Sequence, residues 1–178
     1  MKTLKVLSLA IALLVGTISY GQNKKDRKII NDASQAKKTL LKQDAGLKNF
    51  FEESAGYVIF PNVGKGGLVI GGASGKGAVY ENGKLIGMAD LKKLNIGFQA
   101  GGQAIIEVIF FEDKTTLEDF KNDEFQFDAQ ASAVAVKSGI AFNAKYKDGV
   151  ATFALPKAGL MADASVGGQK FKFTPFPQ

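Results

Sequence analysis

The run over residues 104–111 constrains this chain more than any other segment. It reads Ala-Ile-Ile-Glu-Val-Ile-Phe-Phe, apolar everywhere except Glu107. Such a run, rich in β-branched and aromatic residues, is the pattern of a strand buried on both faces. Its surroundings repeat the theme. Residues 57–60, 68–70, 75–80, 84–91 and 95–100 are short strand-like runs punctuated by glycine. Asn82-Gly83 between two of them is a strong hairpin signal. Residues 125–135 and 140–146 alternate with period two. Lys147-Asp148-Gly149 turns the chain into a run over 150–155, which Pro156 ends because it has no N–H to donate. Runs over 160–166 and 171–173 complete the series. Residues 115–121 predict one short helix, with Thr115 or Thr116 as N-cap. No helices of crossover length alternate with the strands. The expected fold is α+β and mostly antiparallel: a closed or nearly closed barrel-like sheet over residues 55–178 with one inserted helix.

Two segments precede that domain. Lys2 and Lys5, a nearly unbroken apolar stretch over 6–18, and small Ser19 and Gly21 form the pattern of a secretory signal peptide over residues 1–21. The apolar stretch is shorter than the ~20 residues that cross a bilayer as a helix. Residues 22–54 form a helical arm. Ile29, Ala33, Ala36 and Leu40 make one apolar stripe, and lysines and Arg27 dominate the rest. Asp44 is placed to cap a second short helix carrying Leu47, Phe50 and Phe51. A stripe beside so many cations suits a helix lying in a membrane interface, and equally a helix packed on a sheet.

Composition narrows the function. The net charge is +6, and removing the leader takes away two lysines and no acid. The remainder favours anionic partners, with nucleic acid the weakest candidate for an exported protein. There is no Cys, His or Trp, so disulfides, the commonest general base and two common metal ligands are missing. The glycine cluster from Gly64 to Gly77 has the wrong spacing for a phosphate-binding loop: Gly71 precedes Gly75 by one residue too few, and Gly77 stands where a hydroxyl is needed. It suits a bent sheet with close backbone approach. Lys137 and Ser138 are adjacent and therefore poorly placed as a catalytic pair. Glu107 is the acid of most interest, but a buried carboxylate is more often paired than catalytic. The expectation is no enzyme, no metal and no cofactor.

Several motifs carry a resemblance. Gly56-Tyr57-Val58-Ile59-Phe60-Pro61-Asn62-Val63-Gly64-Lys65-Gly66-Gly67, followed by Gly71-Gly72 and Gly75-Lys76-Gly77, resembles the SYLF family of lipid-binding domains. Gly97-Phe98-Gln99-Ala100-Gly101-Gly102-Gln103 is similar to its second signature, residues 128–135 to its Asp-Ala-Ser strand, and Gly159-Leu160-Met161-Ala162 with Ser165 to its closing segment. The chain departs from the family pattern at Ile106, Gln130 and Gly167, so no shared polar or metal site is carried over. The resemblance implies binding to membrane lipid through a basic N-terminal helix and the domain body, without catalysis. The contacts it implies here are Lys24, Lys25, Arg27, Lys28, Lys37 and Lys38 on the arm, with Lys65 and Lys76 on glycine-rich loops. The expected partner is an anionic phospholipid or lipopolysaccharide phosphate, met by an exported protein that is periplasmic or secreted and peripheral on a membrane. The alternatives are a barrel carrying an apolar ligand inside, and a structural envelope protein that binds another protein through an apolar patch.

Overall fold

A computed structural model describes residues 24–64, 73–93, 104–122, 133–157 and 168–177. The leader, Lys65, the second and the closing SYLF-like motifs, the strand-like runs over 68–70, 95–100 and 160–166, and most of 125–135 lie outside these residues. The chain runs α1 (Lys24–Gln43), α2 (Leu47–Glu53), β1 (Gly56–Val63), β2 (Ala73–Glu81), β3 (Lys84–Lys93), β4 (Ile105–Phe111), α3 (Lys114–Lys121), β5 (Val134–Ala135), a 3-10 turn (Ala141–Asn143), β6 (Val150–Pro156) and β7 (Gln169–Pro175). The strands form one sheet in the order β5-β6-β4-β1-β2-β3-β7. Every pairing is antiparallel except that of β5 with β6.

Strand β4 is buried at all seven positions, as its sequence requires. Its residues alternate between two cores. Ile106, Val108 and Phe110 join Tyr57, Ile59 and Phe153 beneath α1 and α2. Ile105, Ile109 and Phe111 join Val58, Phe60, Leu117, Phe120 and Phe171 on the other face. The hairpins follow their turn residues. Asn82 and Gly83 have φ of 48° and 75°, and Asp148 and Gly149 of 52° and 75°, the left-handed pair that a two-residue turn between twisted strands demands.

The sheet is strongly rolled. Phe60 on β1 and Phe171 on β7 are separated by three strand steps, about 14 Å in a flat sheet. Their ring centroids lie 5.9 Å apart. Gln169 on β7 donates from Nε2 to Glu107 Oε2 on β4 at 3.2 Å, across four strand steps. Among the described residues the roll stays open: β5 and β7 are its edges and do not pair with one another. Of the closed or nearly closed sheet that was expected, the closed form is therefore not what these strands make, and α3 packs on the second core. It packs against β7, β1 and β4. Its Phe120 meets Phe111, Phe171 and Phe173 at centroid distances of 4.8, 5.6 and 6.4 Å. Leu117 and Phe120 of this helix are buried in the second core.

Two local expectations are also corrected. The N-cap of α3 is Asp113, which accepts from Thr116 N at 2.8 Å and from Thr116 Oγ1 at 3.1 Å. These bonds hold the Asp113 carboxyl below its usual range. Residues 140–146 form no strand. Gly139 adopts φ of 79°, and the chain coils into the 3-10 turn because Asp44 holds it there. Asp44 is buried. Its Oδ1 accepts from Gly46 N at 3.0 Å at the α1–α2 corner, and its Oδ2 accepts from Ala141 N at 2.8 Å.

Two substitutions test this account. Gly77→Ala places a Cβ 2.7 Å from Phe60 Cδ1 and 2.8 Å from Ile59 O, so overpacking is expected to destabilise the fold by about 1–3 kcal/mol. Asp44→Ala strips the partner from two N–H groups and is expected to cost about 2–4 kcal/mol. Urea midpoints at a fixed slope measure both. Wild-type stability in either variant would contradict the packing described.

Candidate functional site

Helix α1 is docked on the sheet. Ala33, Ala36 and Leu40 are buried in the first core, and the helix packs on β1 and β2. Small Ala33 and Ala36 allow the close approach. The stripe that suits a membrane interface is therefore already covered by protein.

Docking fixes where the cations point. At about 100° per residue, Lys24, Arg27, Lys28, Lys38 and Lys42 fall within one sector of about 100°, roughly opposite Ala33 and Leu40. All five are exposed. At 1.5 Å per residue they extend along about 27 Å of helix. Lys28 also forms a 2.6 Å ion pair with Asp32 one turn on, an exposed contact of small energy that a phosphate can replace. Lys25 is exposed on the flank of this ridge. Lys42 is one of the arm's cations but not among the contacts that the resemblance implies; its spacing of four from Lys38 places it on the ridge.

The other nominated cations go elsewhere. Lys37 is half-buried. Its Nζ donates to the Tyr57 hydroxyl at 3.0 Å and lies 4.3 Å from the Phe51 ring centroid and 4.9 Å from that of Tyr57. Burial lowers its pKa, and the charge of Glu52 opposes that shift. Lys37 therefore seals the edge of the first core. Lys76 lies on β2, opposite Asp90 of β3 in the strand register, and pairs with it at 2.9 Å. Lys65 lies outside the described residues. The nominated residues that the structure assembles into one ridge are thus Lys24, Arg27, Lys28 and Lys38, with Lys25 beside them.

Residues 92–174 match a family described as "Ysc84: Las17-binding protein actin regulator". Beta cell expansion factor A of Aeromonas veronii is 30% identical over 134 residues, covering 74% of this chain and 51% of that protein. Both matches are consistent with the SYLF family, the family of the Ysc84 domain, with residues 92–174 as the matched region. The chain spans about half the length of this curated relative. The family match begins near the end of β3 and closes in β7, so it covers β4 to β7 and α3, while the ridge on α1 precedes it.

The acid singled out from sequence, Glu107, is fully buried on β4 and bonded to Gln169 of β7. Among the described residues no group of acids is arranged to hold a metal, and no helix is long and apolar enough to cross a membrane.

The tyrosines report on the first core. Tyr57 and Tyr80 stack at 4.9 Å with an interplanar angle of 22°. Burial raises the pKa of both, and Tyr57 raises that of Tyr80 further. Burial also pushes Tyr146 up to about 12, assisted by Glu112 and Glu53. A raised folded-state pKa means that the fold favours the neutral phenol. The resulting stability is complete below the ordinary value near 10 and is lost as pH rises through the shifted values. Tyrosinate absorbance is therefore expected to rise only above pH 10, together with loss of near-ultraviolet dichroism. Full ionisation at pH 10 with the dichroism intact would contradict it.

Proposed function

We propose that this protein binds anionic membrane surfaces through the solvent-facing cationic ridge of α1. The observation that carries the reading is the docking of α1: burial of Ala33, Ala36 and Leu40 turns Lys24, Arg27, Lys28, Lys38 and Lys42 outward together. The matches to the SYLF family support a binding role. The mechanism differs from that expected of a free arm. The apolar stripe belongs to the core, so capture is electrostatic and proceeds without insertion of the stripe. Each Lys or Arg near an anionic surface contributes about 1 kcal/mol, and the chemistry of the ridge is matched by lipid phosphate. The signal-like leader over 1–21 supports an exported protein. Its partners would then be the phosphatidylglycerol, cardiolipin or lipopolysaccharide phosphate of a bacterial envelope, and it would act as a peripheral, non-enzymatic protein.

Flotation with phosphatidylcholine vesicles carrying rising fractions of phosphatidylglycerol tests this. Affinity is expected to rise with phosphatidylglycerol. It is expected to fall as salt shortens the screening length from about 10 Å at 0.1 M to about 3 Å at 1 M. Changing Lys24, Arg27, Lys28 and Lys38 together to Gln is expected to weaken binding by about two to three orders of magnitude. Lys37→Met is expected to leave it unchanged. Equal binding by the quadruple variant, or binding indifferent to phosphatidylglycerol, would refute the proposal.

A further inference from the structure

Away from the ridge, α2, the end of β4 and residues 141–146 enclose an open cleft of about 440 Å³. Three of its lining residues are aromatic, and the rest are small, polar or charged. Phe50 and Tyr146 stand with ring centroids 5.3 Å apart, tilted by 55°, and Phe142 forms a third wall. Phe142 is 67% exposed, a large apolar side chain held in water. The fold holds it there from both sides. Asp44 anchors the preceding N–H at Ala141. Gly46 leaves room for the segment: a Cβ there would lie 2.9 Å from Phe142 N and 3.1 Å from its ring.

The charge of the cleft is the second observation. Glu53 and Glu112 belong to its lining. Among the described residues neither makes an ion pair. Both act on Tyr146, whose phenol they help to keep protonated. Lys145 also belongs to the lining and is exposed; it offsets one of the two negative charges. A neutral apolar ligand would cover the rings but desolvate the carboxylates without compensation. An anion would be repelled. A primary ammonium can bond the two carboxylates, but its compact and strongly hydrated charge gains little from the rings. A cation whose charge is spread over methyl groups satisfies both the rings and the carboxylates, because it donates no hydrogen bonds and is attracted to ring faces.

We propose that this cleft binds a quaternary ammonium group of the trimethylammonium type. Free solutes and lipid headgroups both carry such a group. Phe50, Phe142 and Tyr146 form its walls, and Glu53 and Glu112 supply the opposing charge. The site is independent of the cationic ridge.

The test is a nuclear magnetic resonance titration of the ¹⁵N-labelled protein with choline chloride, ethanolamine hydrochloride and the neutral choline isostere 3,3-dimethylbutan-1-ol. Saturable shifts are expected at residues 46–53, 112 and 141–146 with choline. Ethanolamine and the neutral isostere are expected to bind at least about tenfold more weakly. Phe142→Ala, and Glu53→Gln together with Glu112→Gln, are each expected to weaken choline binding by about tenfold. These positions are exposed except for the ring contacts of Phe142, and the spectrum itself shows whether each variant is folded. Flotation with pure phosphatidylcholine vesicles separates the sources: attachment lost in the cleft variants assigns the group to a lipid headgroup, and choline binding without attachment assigns it to a free solute. No shifts with choline would overturn the proposal, as would isostere or ethanolamine binding as tight as choline, or choline binding unchanged in both folded variants.

Discussion

Strand β4 never meets water, and the architecture follows from that one constraint. A strand apolar on both faces needs cover on both faces. The chain supplies it with two different devices. One face is roofed by the N-terminal helices, whose small residues let them lie close. The other is enclosed by the sheet itself, which rolls until β7 comes back within bonding distance of β4. The roll concentrates large rings, Phe60, Phe111, Phe120 and Phe171, in one inner core. It explains why glycine sits where backbone and ring surfaces come together, as at Gly77. It also explains how a polar pair, Glu107 with Gln169, can be tolerated in that core, since each helps to satisfy the other.

The surface inherits its chemistry from the same arrangement. Once α1 is required as a roof, its orientation is no longer free. Its apolar stripe turns down and its cations turn out along a line. The residues that look alike in the sequence then divide by geometry. Lys38 faces solvent, while Lys37, its neighbour in the chain, points back over Phe51 and Tyr57. Lys76 has the charge but not the company, since Asp90 stands opposite it across the hairpin.

Much of this was legible in the sequence, where the determinants are local. Periodicity marked α1. Two-sided apolarity marked β4. Asn82-Gly83 and Asp148-Gly149 announced turns whose backbone angles only such residues adopt readily. What was not legible depended on partners distant in the chain. Residues 140–146 alternate like a strand, yet a carboxylate at position 44 takes the N–H that a ladder would have used. A closed or nearly closed sheet was expected because many strands imply closure. Nothing in the spacing of residues 114–121 revealed that their helix would pack on the second core. The cleft is hidden for the same reason: Phe50, Glu112 and Phe142 belong to three segments that only the tertiary fold brings together.

The bond between Glu107 and Gln169 joins residues 62 positions apart, and that between Asp44 and Ala141 joins residues 97 apart. Loops of that length must close before either contact is rewarded, which places this chain among slow-folding topologies rather than fast ones. The order of assembly is constrained as well. Strand β7 follows every other described strand in the chain, so the inner core cannot be sealed before β7 has been made. Until then Phe60 and Phe120 lack the ring that covers them. The polypeptide thus stays open to handling by other factors until β7 arrives, because only then can the second core close.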